Sequence, residues 1–379
     1  MAEIELEGVT KRFKNTTAID KLSLHIKDNE FFVLFGPAGA GKTTTLKTIA
    51  GVEFPQEGLV KIGGEIVNLV DPALRNVSMV FENYALYPHM TVFDNIASPM
   101  RSPLHRKGEA EIKAEVNRVA ELMGITQFLG RLPSQLSNGQ RQRTALGRCL
   151  VRQPNVFLMD EPLAHLDAKL RHLMRTELKA MQTQFDTTTI YVTHDYAEAL
   201  SLGDRIAIIN LGKILQVGNG DEIYYTPKNE FVARLVGEPE INLADATLAD
   251  VGGRTVVELA SGGVAHRFPV PAEVARDAGA SGDGRIRIGI RGVNISYRFD
   301  PSDGYIPGTV YNLEPIGNKS ILTIKIDEYL FRSVAPNDLS VKLDSPVYMR
   351  PDPDNMLFFS AADGRFLGRP NQAQLIGRK

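Results

Sequence analysis

The chain has 379 residues, enough for roughly two or three domains. Its 43 basic and 45 acidic residues leave a formal charge of −2, so it lacks the basic surplus of a non-specific nucleic-acid binder, and its one cysteine excludes an internal disulfide framework or a multi-cysteine metal site. Hydrophobics at 43% and charged residues at 23% exclude a disordered chain. The N-terminus, MAEIELEGVT, is acidic where a signal peptide is basic. No stretch approaches the ~18 consecutive apolar residues of a membrane span. The expectation is a cytoplasmic protein that meets a membrane only through a partner.

In chain order, FFVLF (31–35) reads as a buried strand. GPAGAGKT (36–43) follows and opens a helix, TTTLKTIAG. The eight residues match G-x-x-x-x-G-K-[ST] in the strand-to-helix context that a phosphate-binding loop requires. Gly36, Pro37, Ala38, Gly39, Ala40 and Gly41 are expected to turn backbone N–H groups toward a β-phosphate, and the helix end adds its positive dipole. Lys42 is expected to bridge β- and γ-phosphates, and the Thr43 hydroxyl to ligate Mg²⁺, with Thr44 in the same cradle. VSMVF (77–81) reads as the next strand. In EIKAEVNRVAELM, Ile112, Val116, Val119, Leu122 and Met123 share one helical face. NVFLM (155–159) then runs into Asp160-Glu161 at a strand's carboxyl end, where α/β sheets bind ligands. Asp160 can hold Mg²⁺ through water, and Glu161 can polarise an attacking water. In KLRHLMRTELKAM, Leu170, Leu173, Met174, Leu178 and Met181 are placed on one face, and TIYVTH (189–194) is another strand. Met79, Met159 and Cys149 are read as core. This alternation argues α/β with a parallel sheet.

The texture changes after Gly237-Glu238-Pro239. Helical periodicity ends, and RIRIGIR (285–291) places Ile286, Ile288 and Ile290 on one face with arginines mainly on the other. TVYNLE, SILTIKI, YLFRSV and SPVYMR continue as short strands between turns. Residues 1–237 are read as one domain and 241–379 as a small all-β, barrel-like one.

LSNGQRQRTALGRCLVRQP (136–154) resembles the signature motif of ATP-binding-cassette ATPases, usually LSGGQ. PLAHLDAKLR is similar to the cassette D-loop, TIYVTHD places His194 as the switch histidine, and VFENYALYPHMTVFDNI (80–96) resembles a Q-loop. VGEPEIN, IRIGIR and LFFSAADGRFL resemble the β-rich regulatory domain of maltose/glycerol-3-phosphate-type importer ATPases. The resemblance implies a RecA-like core with a helical subdomain over roughly 86–152, followed by an OB-like regulatory and dimerisation domain at 241–379. It implies ATP and Mg²⁺ as ligands, with Phe13 stacking on adenine. It also implies that two cassettes close head to tail, so that Ser137, Asn138, Gly139 and Gln140 act on the partner's nucleotide. Permease subunits would dock at Glu82–Pro88, at the cytoplasmic face of the membrane, with an extracytoplasmic solute-binding protein engaged indirectly.

Three positions depart from the pattern: Glu82 for the Q-loop glutamine, Asn138 for the first signature glycine, and Ala164-His165-Leu166-Asp167 in the D-loop. Glu82 keeps a Mg²⁺-ligating oxygen and a place among the catalytic residues, but it adds negative charge near the triphosphate. Asn138 is expected to tolerate left-handed backbone best among non-glycine residues. His165 reads as a solvated or interface histidine. The second cassette is either a copy of this chain or a different one. The rival readings are a P-loop small-molecule kinase, against which LSNGQ and His194 argue, and a weakly hydrolysing structural cassette, motivated by Glu82.

Overall fold

The computed structural model describes residues 2–152, 154–279 and 284–372. By internal contacts the chain divides into two units, Met1–Gly220 and Asp221–Lys379. Residues 221–237, before the change in sequence texture, are thus grouped with the second unit.

The first unit is built on a six-stranded sheet. Its spatial order is Lys213–Gly218, Arg205–Asn210, Phe31–Phe35, Thr188–Thr193, Val156–Asp160 and Val77–Val80. The last five run parallel, and Lys213–Gly218 pairs antiparallel at the edge. The central strands are apolar along their whole length because helices cover such a sheet on both faces; Phe31–Phe35 and Val156–Asp160 are buried throughout. An antiparallel sheet of Thr16–Ile26, Ile4–Phe13, Glu57–Ile62 and Glu65–Ile66 shares a core with it, including Leu6, Val60, Phe32 and Val192. Three helices, Val92–Arg101, Glu109–Leu122 and Asn138–Leu150, carry the helical segment. They bury Ile96 and Met100, Val116 and Val119, and Leu146 and Cys149 respectively.

Two expectations in this unit are corrected. In the Ala168–Phe185 helix the buried stripe is Met174 and Leu178, with Leu170 half-buried, whereas Leu173 is 51% exposed. A spacing of four residues runs down the buried face, and Leu173 falls beside it. The side chain of Met181 lies outside the described residues. Met79 does pack against the core but is only partly buried, because its strand lies at the sheet edge.

The second unit holds two antiparallel sheets. One has the order Val264–Pro269, Arg254–Ser261, Asn242–Val251, Arg285–Ile290, Leu357–Ser360 and Phe366–Gly368; the other, Ile295–Arg298, Pro346–Pro351, Ile306–Ile316, Lys319–Ile326 and Tyr329–Pro336. Ile286, Ile288 and Ile290 point into a core shared by both sheets. The unit is not wholly β. Ala272–Gly279 is helical and buries Val274 and Ala278, a pair too brief to read as periodicity. Arg291 is also not solvent-facing. It is buried, donates to the Val236 and Tyr224 carbonyls, and lies 3.7 Å from the Tyr224 ring centroid. Burial pulls its guanidinium down to about 10.

Candidate active site

Four parallel strands of the first unit deliver their following residues to one edge of the sheet. Phe31–Phe35 delivers the glycine loop, Val156–Asp160 ends on Asp160 and continues to Glu161, Thr188–Thr193 is followed by His194, and Val77–Val80 by Glu82. This is the carboxyl edge at which open α/β sheets bind ligands. Sequence separations above 100 residues are closed by strand pairing alone.

The glycine loop is shaped by steric need. A Cβ on Gly36 would collide with the Ile209 carbonyl oxygen, and one on Gly41 with that of Ala18. Gly41 also has φ 104°, which a side chain rarely adopts. The helix begins at Lys42. Lys42 is 5% exposed, and its Nζ donates to the Gly36 and Pro37 carbonyls at 2.9 Å each, so its chain folds back over the loop. Burial holds its ammonium below the ordinary lysine range; Glu161, Asp160 and Glu82 oppose that shift.

The Thr43 hydroxyl donates to Asp160 Oδ1 at 3.1 Å, tying the loop's helix to the neighbouring strand. Asp160 is 1% exposed, and its Oδ2 has no hydrogen-bond partner among the described residues. Burial pushes its carboxyl up to about 6; the Thr43 hydroxyl opposes this, while Glu82 and Glu161 add to it. A partnerless buried carboxylate oxygen beside a hydroxyl is the donor set a hard divalent cation takes, so the residues fit Mg²⁺.

Glu161 leaves the strand at φ 47°, a left-handed conformation stabilised by its N–H bond to the Val192 carbonyl at 3.0 Å. Its Oε2 lies 2.9 Å from His194 Nδ1. Glu82 is exposed on the adjoining loop and, with Thr43, Lys47 and Asp160, lines a cleft of about 350 Å³. Phe13 ends its strand 42% exposed, with Lys11 Nζ 4.8 Å from the ring centroid.

The signature segment starts a helix. Ser137 is its N-cap, with Oγ accepting from the Gln140 N–H while the Ser137 N–H donates to Gln140 Oε1. Asn138 is the first helical residue and is not left-handed, which corrects the backbone argument made for it; asparagine there needs no special conformation. Gly139 is the second helical residue. His165 is exposed, its ring edge-on to Tyr84 with centroids 5.8 Å apart.

Three residues of the site have no place in the sequence reading. Lys47 was legible, one turn beyond Thr43 on the same helix face. Arg148 was not. From the signature helix it donates to the Tyr84 carbonyl at 2.9 Å and the Ala85 carbonyl at 2.8 Å, and it lies over Tyr87. No local pattern announces a bond across more than 60 residues. Buried Asn95 similarly bonds the Tyr87, Met90 and Thr91 carbonyls and holds the following loop.

The glycine loop, the acid pair at the end of the next strand but one and the capped signature helix define a P-loop ATPase of the cassette type. The ABC transporter family pattern matches residues 19–164. The sn-glycerol-3-phosphate import ATP-binding protein UgpC 1 of Rhizobium johnstonii is 37% identical over 370 residues, 98% of this chain and 97% of that protein. The trehalose/maltose import ATP-binding protein MalK of Thermococcus litoralis is 52% identical over 258 residues, 66% of this chain and 69% of its own length. A dimeric, post-hydrolysis ATP-binding cassette bound to ADP and Pi superposes with a TM-score of 0.54 at 29% identity, covering 57% of this chain and 98% of that one. The chain belongs to the ATP-binding proteins of ABC transporters. It is an ATP hydrolase coupled to transport. Among the described residues no helix is long and apolar enough to cross a membrane.

Proposed function

We propose that this chain energises uptake of a carbohydrate, polyol or related solute, working peripherally at the cytoplasmic face of the membrane and served indirectly by an extracytoplasmic solute-binding protein. The observation that carries the reading is the meeting of Lys42, Thr43, Asp160 and the Glu161–His194 pair at one sheet edge. The import proteins for trehalose/maltose and sn-glycerol-3-phosphate among its relatives support the solute class.

In this reading the residues from Gly36 to Thr44 cradle the phosphates and Phe13 stacks on adenine. Lys42 leaves its loop carbonyls to meet the β- and γ-phosphates. Thr43, Asp160 and Glu82 hold Mg²⁺, which when bound offsets charge on the phosphate oxygens. Glu161 polarises the attacking water, and His194, at 2.9 Å from it, holds that carboxylate in place and senses the γ-phosphate. Ser137, Asn138, Gly139 and Gln140 present a helix N-terminus to the partner cassette's nucleotide. Glu82–Pro88, backed by Arg148 and Asn95, forms the permease contact. The cassette domain runs to about Gly237, with its helical subdomain at roughly 86–152, and residues 241–379 regulate and dimerise. The second cassette is a copy or a different chain. Pairing with a different chain separates Asn138, which acts on the partner's nucleotide, from Glu82, which acts on this chain's own.

Replacing Glu161 tests the chemistry. Glu161→Gln in the assembled transporter should retain ATP and slow hydrolysis by roughly 10²–10⁴-fold, the usual contribution of a positioned proton acceptor. Turnover at the wild-type rate would remove Glu161 from that role.

A further inference from the structure

We infer that this chain holds a hard divalent cation before ATP arrives, between the carboxylates of Glu82 and Asp160 with the Thr43 hydroxyl beside them. The inference rests on the proposed nucleotide site. What it adds is independence from nucleotide, conferred by the charge of Glu82.

Topology brings the two carboxylates together. Val77–Val80 and Val156–Asp160 are parallel neighbours, with Val80 opposite Met159. Asp160 closes one strand, and Glu82 follows the other by two residues, so both emerge at the same edge. Both line the cleft of about 350 Å³ that Thr43 and Lys47 also line. At about 30 Å³ per water, that space admits a cation with several of its waters.

The polar groups there are unspent. Asp160 is buried, and only one of its oxygens is used, by Thr43. Glu82 has no hydrogen bond or ion pair among the described residues. The third carboxylate nearby, Glu161, is already engaged by His194 Nδ1. Lys42 is turned to the Gly36 and Pro37 carbonyls.

Charge then decides. Glu82, Asp160 and Glu161 act on this region against Lys42 and Lys47. That is three negative groups against two positive ones, a local balance of −1. A glutamine at position 82 would offer an oxygen and bring the balance to zero, so triphosphate would have to supply the charge that draws in the metal. With Glu82 in place, two carboxylates and a hydroxyl form an all-oxygen set of the kind that suits Mg²⁺, Mn²⁺ or Ca²⁺.

Mn²⁺ is the probe, followed by the loss of the free aquo-ion signal in electron paramagnetic resonance on nucleotide-stripped, full-length protein. Among the described residues, one other cluster needs silencing. Glu3, Glu5 and His25 bring their ligand atoms within 4.8 Å of one another on the N-terminal sheet. The titration therefore uses a His25→Ala background. The expected result is one Mn²⁺ per chain with a Kd of about 10⁻⁵–10⁻⁴ M, competed by Mg²⁺ and Ca²⁺. Glu82→Gln should weaken it at least about tenfold, and Asp160→Asn should do so as well. Glu82 sits on an exposed loop, so its variant tests charge and not folding. A fluorescent ATP analogue with Mg²⁺ is titrated in parallel. If the analogue binds and Mn²⁺ alone does not, or if Glu82→Gln leaves Mn²⁺ affinity unchanged, the inference is overturned while the nucleotide site stands. Absence of analogue binding would overturn the nucleotide reading and this inference with it.

Discussion

Arg148→Met removes the fork that ties the signature helix to the loop after Glu82. The guanidinium donates to the Tyr84 and Ala85 carbonyls at 2.9 and 2.8 Å. Those two residues are left-handed, with φ of 64° and 44°. Bonds from a charged donor contribute about 1.5–3 kcal/mol each, so the fork contributes about 3–6 kcal/mol. Two non-glycine residues in left-handed backbone cost about 1–3 kcal/mol each, in the opposite direction. The two terms are of one size. The loop is therefore a strained turn braced by Arg148 as well as by its own short bonds, Tyr84 N–H to the Phe81 carbonyl and Ala85 N–H to the Asn83 carbonyl. Taking the lower figure of about 3 kcal/mol, the variant should open locally and speed amide exchange at residues 82–87 by roughly 10²-fold. Arg148→Lys keeps the charge but loses the planar fork and should recover only part of the protection. Exchange in that loop at the wild-type rate, with the variant folded, would show that the fork does not hold the turn.

Gly41→Ala should abolish ATP-analogue binding and cost at least about 3 kcal/mol of stability in chemical denaturation, because the new Cβ meets the Ala18 carbonyl at a φ of 104°; a stable, ATP-binding variant would contradict the steric argument. Cys149 is buried, and burial pushes its thiol up to about 11, so iodoacetamide at pH 8 should label it only after unfolding. Rapid labelling of the native protein would contradict its burial.

Much of the site was legible in linear sequence because its chemistry is local. GPAGAGKT contains its own glycines, lysine and hydroxyl, and eight residues suffice to build a phosphate cradle once a strand precedes and a helix follows. Asp160-Glu161 likewise declares itself as an acid pair on an apolar strand. The capping box of Ser137 and Gln140 is written in four residues. The period-two isoleucines from 286 to 290 determined which face of their strand is buried. These features depend on spacings of at most a helical turn, which a sequence records directly.

Tertiary structure alone decided the rest, and in each case the reason is a contact between distant segments. Leu173 is apolar yet exposed, because the buried stripe of its helix runs through Met174 and Leu178 and leaves it beside the contact. Arg291 continues a run of surface-like arginines yet is buried, because the carbonyls of Val236 and Tyr224 converge on it. Arg148 becomes a loop clamp only when residues 84 and 85 are folded against its helix. Asp160 has only one oxygen partnered because the helix after the glycine loop brings Thr43 to that oxygen and nothing described to the other. The sequence by itself determined which chemical groups this protein carries and the local turns that present them. Strand order and packing determined which groups share a low-dielectric pocket, because charge coupling and burial depend on distance in space and not along the chain.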